Sequence, residues 1–148
     1  MISNALKELR VHCDSLVYLL EHDIPRSPEV TKSTNSLKMA RAWMGKLLGL
    51  MGEESPYKND GKRHSVQDIE PVSDVAVTSR SLDHMNGIER VDWLRQELSS
   101  LQRDYDVMCE SSDSHDVKVS TCLISVYQHL AESRFWLGFE LARIRDNA

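Results

Sequence analysis

The sequence predicts an all-α protein, two antiparallel helical hairpins packed as a helical bundle and joined by a long, partly ordered connection. Three observations predict it. Apolar residues recur at alternating steps of three and four in three stretches, and at steps of three, four and seven in a fourth, the spacing that lines one face of a helix. Arg41-Ala42-Trp43-Met44-Gly45 returns ninety-three positions later as Arg134-Phe135-Trp136-Leu137-Gly138, each on the second helix of a pair. A glycine inside a helix costs roughly 1 kcal/mol relative to alanine, so its presence twice asks for close approach of another helix or a ligand. The chain has 148 residues, enough for one domain with a real core, and residues 1–148 read as a single helical domain.

The first hairpin spans 1–52. Leu6, Leu9, Cys13, Leu16 and Leu20 form the stripe of its first helix, and Leu37, Ala40, Met44, Leu47 and Met51 that of its second. Between them Ser27 is placed to cap the second helix, Pro28 suits its first position, and Glu29 favours its dipole. Gly49 and Gly52 loosen its end, and Pro56, Gly61 and Pro71 exclude regular helix from the stretch that follows. The connection, 53–81, is long for a loop in a compact domain. Its Ile69-Glu70-Pro71-Val72 and Val75-Ala76-Val77 are too apolar for a spacer, and part of it is expected to pack back on the helices or on a neighbouring subunit.

The second hairpin spans 82–148. Val91, Leu94, Leu98, Leu101, Tyr105 and Met108 form an unbroken stripe, and Val119, Leu123, Val126, Leu130, Leu137 and Ile144 form the next, with Trp136 at its border. Stripes joined pairwise by short turns pack as antiparallel hairpins, and stripes this regular also serve oligomerisation.

Composition excludes some functions. The net charge of -5 argues against duplex nucleic acid as the main partner, which needs a dominant positive field. Neither a basic leader with an apolar core nor an apolar run of membrane-spanning length is present, so a cytoplasmic location without membrane attachment is expected. Cys13, Cys109 and Cys122 are odd in number and far apart, which reads as reduced core thiols. The six histidines form no i, i+4 pair with His or Cys, and neither a nucleophile elbow nor a glycine-rich phosphate loop is present, so no metal and no cofactor is expected. All-α nucleotide pyrophosphohydrolases hold magnesium between Glu-x-x-Glu and Glu-x-x-Asp pairs. Here Glu89-x-x-Asp92 has the second spacing, but no Glu-x-x-Glu exists, so this magnesium-dependent alternative has half its motif.

The place best suited to an anion is the start of the second helix. Its free backbone amides carry partial positive charge, Arg26 and Lys32 flank them, and Thr31, Thr34 and Asn35 add neutral hydrogen-bonding groups. Each charge-assisted bond contributes on the order of 1.5 to 3 kcal/mol, so nanomolar binding, roughly 12 kcal/mol, needs base stacking on Tyr18, Tyr57 or a tryptophan as well. A capped helix with solvated cations and nothing bound is the plainer reading of the same residues.

The run Ser27-Pro28-Glu29 through Leu37-Lys38-Met39-Ala40-Arg41-Ala42-Trp43-Met44-Gly45-Lys46 resembles a family of small phage proteins, the anti-CBASS cyclic-oligonucleotide sponges and their uncharacterised relatives. The likeness covers about the first 75 residues, with a weaker echo in Leu130-Ala131-Glu132-Ser133-Arg134-Phe135-Trp136-Leu137-Gly138. It implies a non-catalytic helical homo-oligomer in the host cytoplasm that sequesters a cyclic dinucleotide, trinucleotide or related nucleotide signal and so blocks bacterial anti-phage signalling. With the basic, capped turn it places a pocket at the start of the second helix, closed by the first helix of a neighbouring chain, with Arg26 and Lys32 on phosphate, Thr31 and Asn35 as hydrogen-bond partners and Tyr18 stacking on a base. The chain departs from the family in carrying Pro28 where a basic residue is usual and Asn35-Ser36 where Thr-Lys is usual. A non-catalytic helical protein-interaction module, acting through the connection or an exposed helix face, is the alternative from another class.

Overall fold

The computed structural model describes residues 2–52, 82–112 and 116–148. The apolar stretches at 69–72 and 75–77, and Tyr57, lie outside them. Four helices are present among the described residues: α1 (Ile2–His22), α2 (Pro28–Leu50), α3 (Gly87–Glu110) and α4 (Val117–Asp146).

Three of the four helices start where the sequence supplies a cap. Ser27 sits in extended backbone and its Oγ accepts from the Val30 N–H, with Pro28 in the first turn. Asn86 and Glu89 form a reciprocal capping box at α3. Asp116 accepts from the N–H groups of Lys118 and Val119 at α4. Gly52, at φ 79°, adopts the left-handed backbone that ends α2, a conformation only glycine takes without strain.

The helices form a closed ring in which α1 packs on α2 and α3, and α4 packs on α2 and α3. Every neighbouring pair is antiparallel. Asp14 meets Arg41 and Glu21 meets Lys38 across α1 and α2, while His12 meets Glu97 across α1 and α3. Ser27 meets Glu140 and Ser33 meets Ser133 across α2 and α4, and Tyr105 meets Leu123 across α3 and α4. It follows that α2 and α3 run the same way on opposite corners. The chain leaves α2 at one end of the bundle and enters α3 at the other, beside Asp23, whose carbonyl accepts from Arg90. A helix the length of α2 spans about 35 Å, so the end of α2 and the start of α3 lie at opposite ends of the bundle.

The stripes read from sequence are the core. Leu6, Leu9, Cys13, Leu16 and Leu20 are buried, as are Leu37, Ala40, Met44 and Leu47 and every member of the α3 stripe. On α4 the buried set is Cys122, Val126, Leu130, Ser133, Leu137, Glu140 and Leu141, while Val119, Leu123 and Ile144 are only partly covered. The difference arises because α4 lies closest to α2, where small residues rather than large apolar ones face each other. Ser33 donates to the Ser133 carbonyl at 2.8 Å and its Oγ lies 3.1 Å from the Ser133 Oγ.

The two hairpins are related copies in space as well as in sequence. Leu6, Leu9, Cys13, Leu16 and Leu20 have counterparts eighty-five positions later in Val91, Leu94, Leu98, Leu101 and Tyr105, all buried. Met44 and Leu48 correspond to Leu137 and Leu141 ninety-three positions later, also buried. The repeated glycines have the same explanation in both copies. A Cβ on Gly45 would lie 3.1 Å from Arg10 Nη2, and one on Gly138 would lie 3.3 Å from Arg95 Nε. Each glycine is the bed on which an arginine from the preceding helix lies.

Candidate functional site

The start of α2, the anion site suggested by sequence, is occupied from within the chain. Ser27 caps Val30 and donates through its Oγ to Glu140 Oε1 at 3.0 Å. Glu140, 2% exposed on α4, also receives Arg143 Nε at 2.9 Å and Nη2 at 2.8 Å. Arg143 Nε in turn stands 3.8 Å from Glu29. A carboxylate held at the helix N-terminus satisfies the electrostatics that would otherwise favour a phosphate there.

Within one chain the five residues assigned to a ligand lie apart, Tyr18 on α1 being the residue that the sequence reading draws from a neighbouring chain. Arg26, Thr31, Lys32 and Asn35 are exposed, on the turn and the outer face of α2. Lys32 leans toward α4, its Nζ 4.2 Å from the centre of the Trp136 ring. Tyr18 stands on α1, on the other flank of α2, partly buried with its ring 4.4 Å from that of His22. Thr34 is buried and donates to the Val30 carbonyl, leaving no free hydroxyl for a ligand.

Lys32 instead belongs to a different surface. Phe135, Trp136 and Phe139 form an aromatic cluster on α4, with ring centres 4.7 Å apart for Phe135 and Phe139, 5.7 Å for Phe135 and Trp136, and 5.8 Å for Trp136 and Phe139. Phe135 is 58% exposed and Phe139 is 49% exposed. On the side away from Lys32, the two phenyl rings border a groove of about 560 Å³ between α3 and α4, lined by Arg95, Ala131, Arg134, Phe135, Gly138, Phe139 and Ala142. The cluster thus has a lysine at one edge and two arginines at the other. The sequence held one signal for it: Phe135 and Phe139 replace Ala42 and Lys46 of the first copy of the repeat. The fold does not require aromatic residues there, because the first hairpin keeps those positions small or polar.

Other chemistry is held in local structure. Glu89 is spent in the α3 capping box, and Asp92 accepts from Gln96. Among the described residues no group of three or more His, Cys, Asp or Glu is placed to hold a metal ion, and no described helix is long and apolar enough to cross a membrane. The three cysteines are free thiols, Cys13 and Cys122 buried and Cys109 half-buried. Burial, reinforced by Asp14, pushes the Cys13 thiol well above its ordinary value, and burial raises those of Cys109 and Cys122. Thiols held protonated are poor nucleophiles. Comparison with known protein families, curated proteins and solved structures returned no match to this chain.

Proposed function

We propose that the protein is a non-catalytic sponge, a homo-oligomer that binds a cyclic dinucleotide, cyclic trinucleotide or related nucleotide signal in the host cytoplasm and holds it intact, blocking bacterial anti-phage signalling. The observation that carries this reading is the cluster of exposed Phe135 and Phe139 with half-buried Trp136, which has cations on both edges. Bases stack on aromatic faces with about 1–3 kcal/mol each, and phosphates pair with lysine and arginine. Covering roughly 100 Å² of each phenyl ring adds about 2–3 kcal/mol by area. The resemblance of the α2 run to the phage sponges supports the same reading, with Lys32 shared between the contacts it implies and the aromatic surface.

Isothermal titration with a panel of cyclic dinucleotides, cyclic trinucleotides and ADP-ribose-derived signals tests it, followed by heat denaturation and chromatography of the released ligand. The expected result is tight binding to at least one member, intact recovery, and loss of binding in the Phe135→Ala, Phe139→Ala double variant. Absence of heat across the panel overturns the reading, and recovery of an altered nucleotide makes the protein an enzyme.

A second reading, a helical protein-interaction module, is favoured by one observation. The exposed face of α4 continues past the aromatic cluster through Tyr127 and Ile124 to Val117, which is 78% exposed, farther than a single nucleotide reaches. Substituting Ile124 and Val117 by serine leaves nucleotide binding unchanged under the first reading and removes partner binding under the second.

A further inference from the structure

We propose that the α3–α4 hairpin carries an oxyanion site, formed by the guanidiniums of Arg95 and Arg134 beside Gly138, which takes a phosphate or pyrophosphate group, and that the α1–α2 hairpin has closed its copy of that site with its own carboxylate. The inference rests on the nucleotide reading for the identity of the molecule that brings the phosphate, but the anion site stands on separate observations.

The two hairpins supply an internal comparison. In the first, Arg10 lies over Gly45, and one turn along the same interface Arg41 Nη1 bonds Asp14 Oδ1 at 2.7 Å. Asp14 is 5% exposed and so counters positive charge in a sheltered place. In the second, Arg95 lies over Gly138 and Arg134 occupies the position of Arg41. The position of Asp14 is held by Ser99, whose hydroxyl is turned back on its own helix and donates to the Arg95 carbonyl at 3.1 Å. One acidic residue has been replaced by a neutral one, while both arginines remain.

The consequence is a pair of like charges without a counterion among the described residues. Arg95 and Arg134 line the same groove, no carboxylate lines it with them, and neither side chain makes a hydrogen bond or ion pair among the described residues. Arg95 comes from α3 and Arg134 from α4, like charges that repel across one groove, and each guanidinium offers a fork of N–H donors suited to the oxygens of a phosphate. Gly138 lets the Arg95 guanidinium lie against α4, in the groove that Arg134 also lines. Phe135 and Phe139 form the adjoining wall, so an anion held by the arginines has an aromatic surface beside it.

The test titrates the full chain at low salt with inorganic pyrophosphate, and separately with the nucleotide panel, by calorimetry. Wild type is expected to bind pyrophosphate at one site. Arg134→Gln should weaken that binding by about tenfold to a hundredfold, the loss of one charge-assisted hydrogen bond. Ser99→Asp should weaken it at least as much, because it rebuilds the Asp14–Arg41 pair in the second hairpin, and should leave the helical circular dichroism melt unchanged or raised. A wild type that ignores pyrophosphate, or a Ser99→Asp variant that binds it as wild type does, overturns the site. If pyrophosphate binds and responds to both variants but no nucleotide binds, the oxyanion site stands and the sponge reading falls. If a nucleotide binds with equal affinity to wild type and Ser99→Asp, the sponge reading stands and this site falls.

Discussion

Replacing Glu140 by leucine should cost little or stabilise the protein, whereas removing its partner Arg143 should cost measurably more. Glu140 is 2% exposed, and its counterpart in the first hairpin is Leu47, fully buried in the core. The carboxylate is held by Ser27 and by two bonds from Arg143. Arg143→Ala leaves that carboxylate buried with the Ser27 hydroxyl alone. Breaking a fully buried pair costs about 3–5 kcal/mol, but Arg143 is 46% exposed, so solvent already screens the pair and the expected loss is about 1–2 kcal/mol. For a chain of this size each kcal/mol moves the melting temperature by about 2–4 °C. Glu140→Leu removes the buried charge together with its desolvation cost, releases Arg143 to water, and leaves Ser27 still capping Val30, so the expected change lies between neutral and about 1 kcal/mol of stabilisation. Urea denaturation followed by far-ultraviolet circular dichroism measures both variants. A Glu140→Leu variant less stable than Arg143→Ala would refute the reasoning, because it would show the carboxylate contributing more than its burial costs.

Gly138→Ala should stabilise by about 0.5–1 kcal/mol through helix propensity, since the new methyl displaces only the end of an exposed arginine, and Gly45→Ala should gain less because Arg10 is partly buried and closer; thermal melts that reverse this order count against it. Asn86→Ala should cost about 1 kcal/mol by removing the side-chain oxygen that accepts from the Glu89 N–H, with hydrogen exchange rising first in the opening turn of α3. Stability should fall as the pH rises above 9. Burial raises the folded Cys13 thiol above its ordinary 9.0 and the Tyr105 phenol above its ordinary 10.0. The unfolded chain therefore loses those protons first, and each group withdraws up to about 1.4 kcal/mol per pH unit until its folded-state value is reached. Cys13→Ala should flatten that decline between pH 9 and 10, and denaturation midpoints across the range measure it.

Much of the fold was legible because burial in a helix bundle imposes a local period. The stripes of α1 and α3 are buried throughout, that of α2 is buried as far as Leu47 with Met51 only partly covered at the helix end, and Ser27 and Pro28 mark a helix start that depends only on neighbouring residues. The stripe of α4 was less complete. Which of its faces turns inward depends on how closely α2 approaches, and that depends on Ser33 and Ser133, polar residues that carry no apolar signal. The candidate site was legible in one residue, Lys32, and in the repeat that contains Trp136. The aromatic cluster and the two arginines were in plain view as residue types, but their meeting joins α2, α3 and α4.

The amino-acid order alone determined the helices, their caps, most of the buried face of each and the twofold repetition, because these follow from contacts within a few residues along one helix. Only the tertiary structure decided how the ring closes, that α2 and α3 run the same way on opposite corners, and what each charge faces. Glu140 and Arg134 show the difference. Nothing near Glu140 in sequence says that the start of α2 lies against it, and nothing near Arg134 says that Ser99 stands where its counterpart Arg41 finds Asp14. Electrostatic partners at such separations are set by packing between helices, and the period of a single helix carries no record of them.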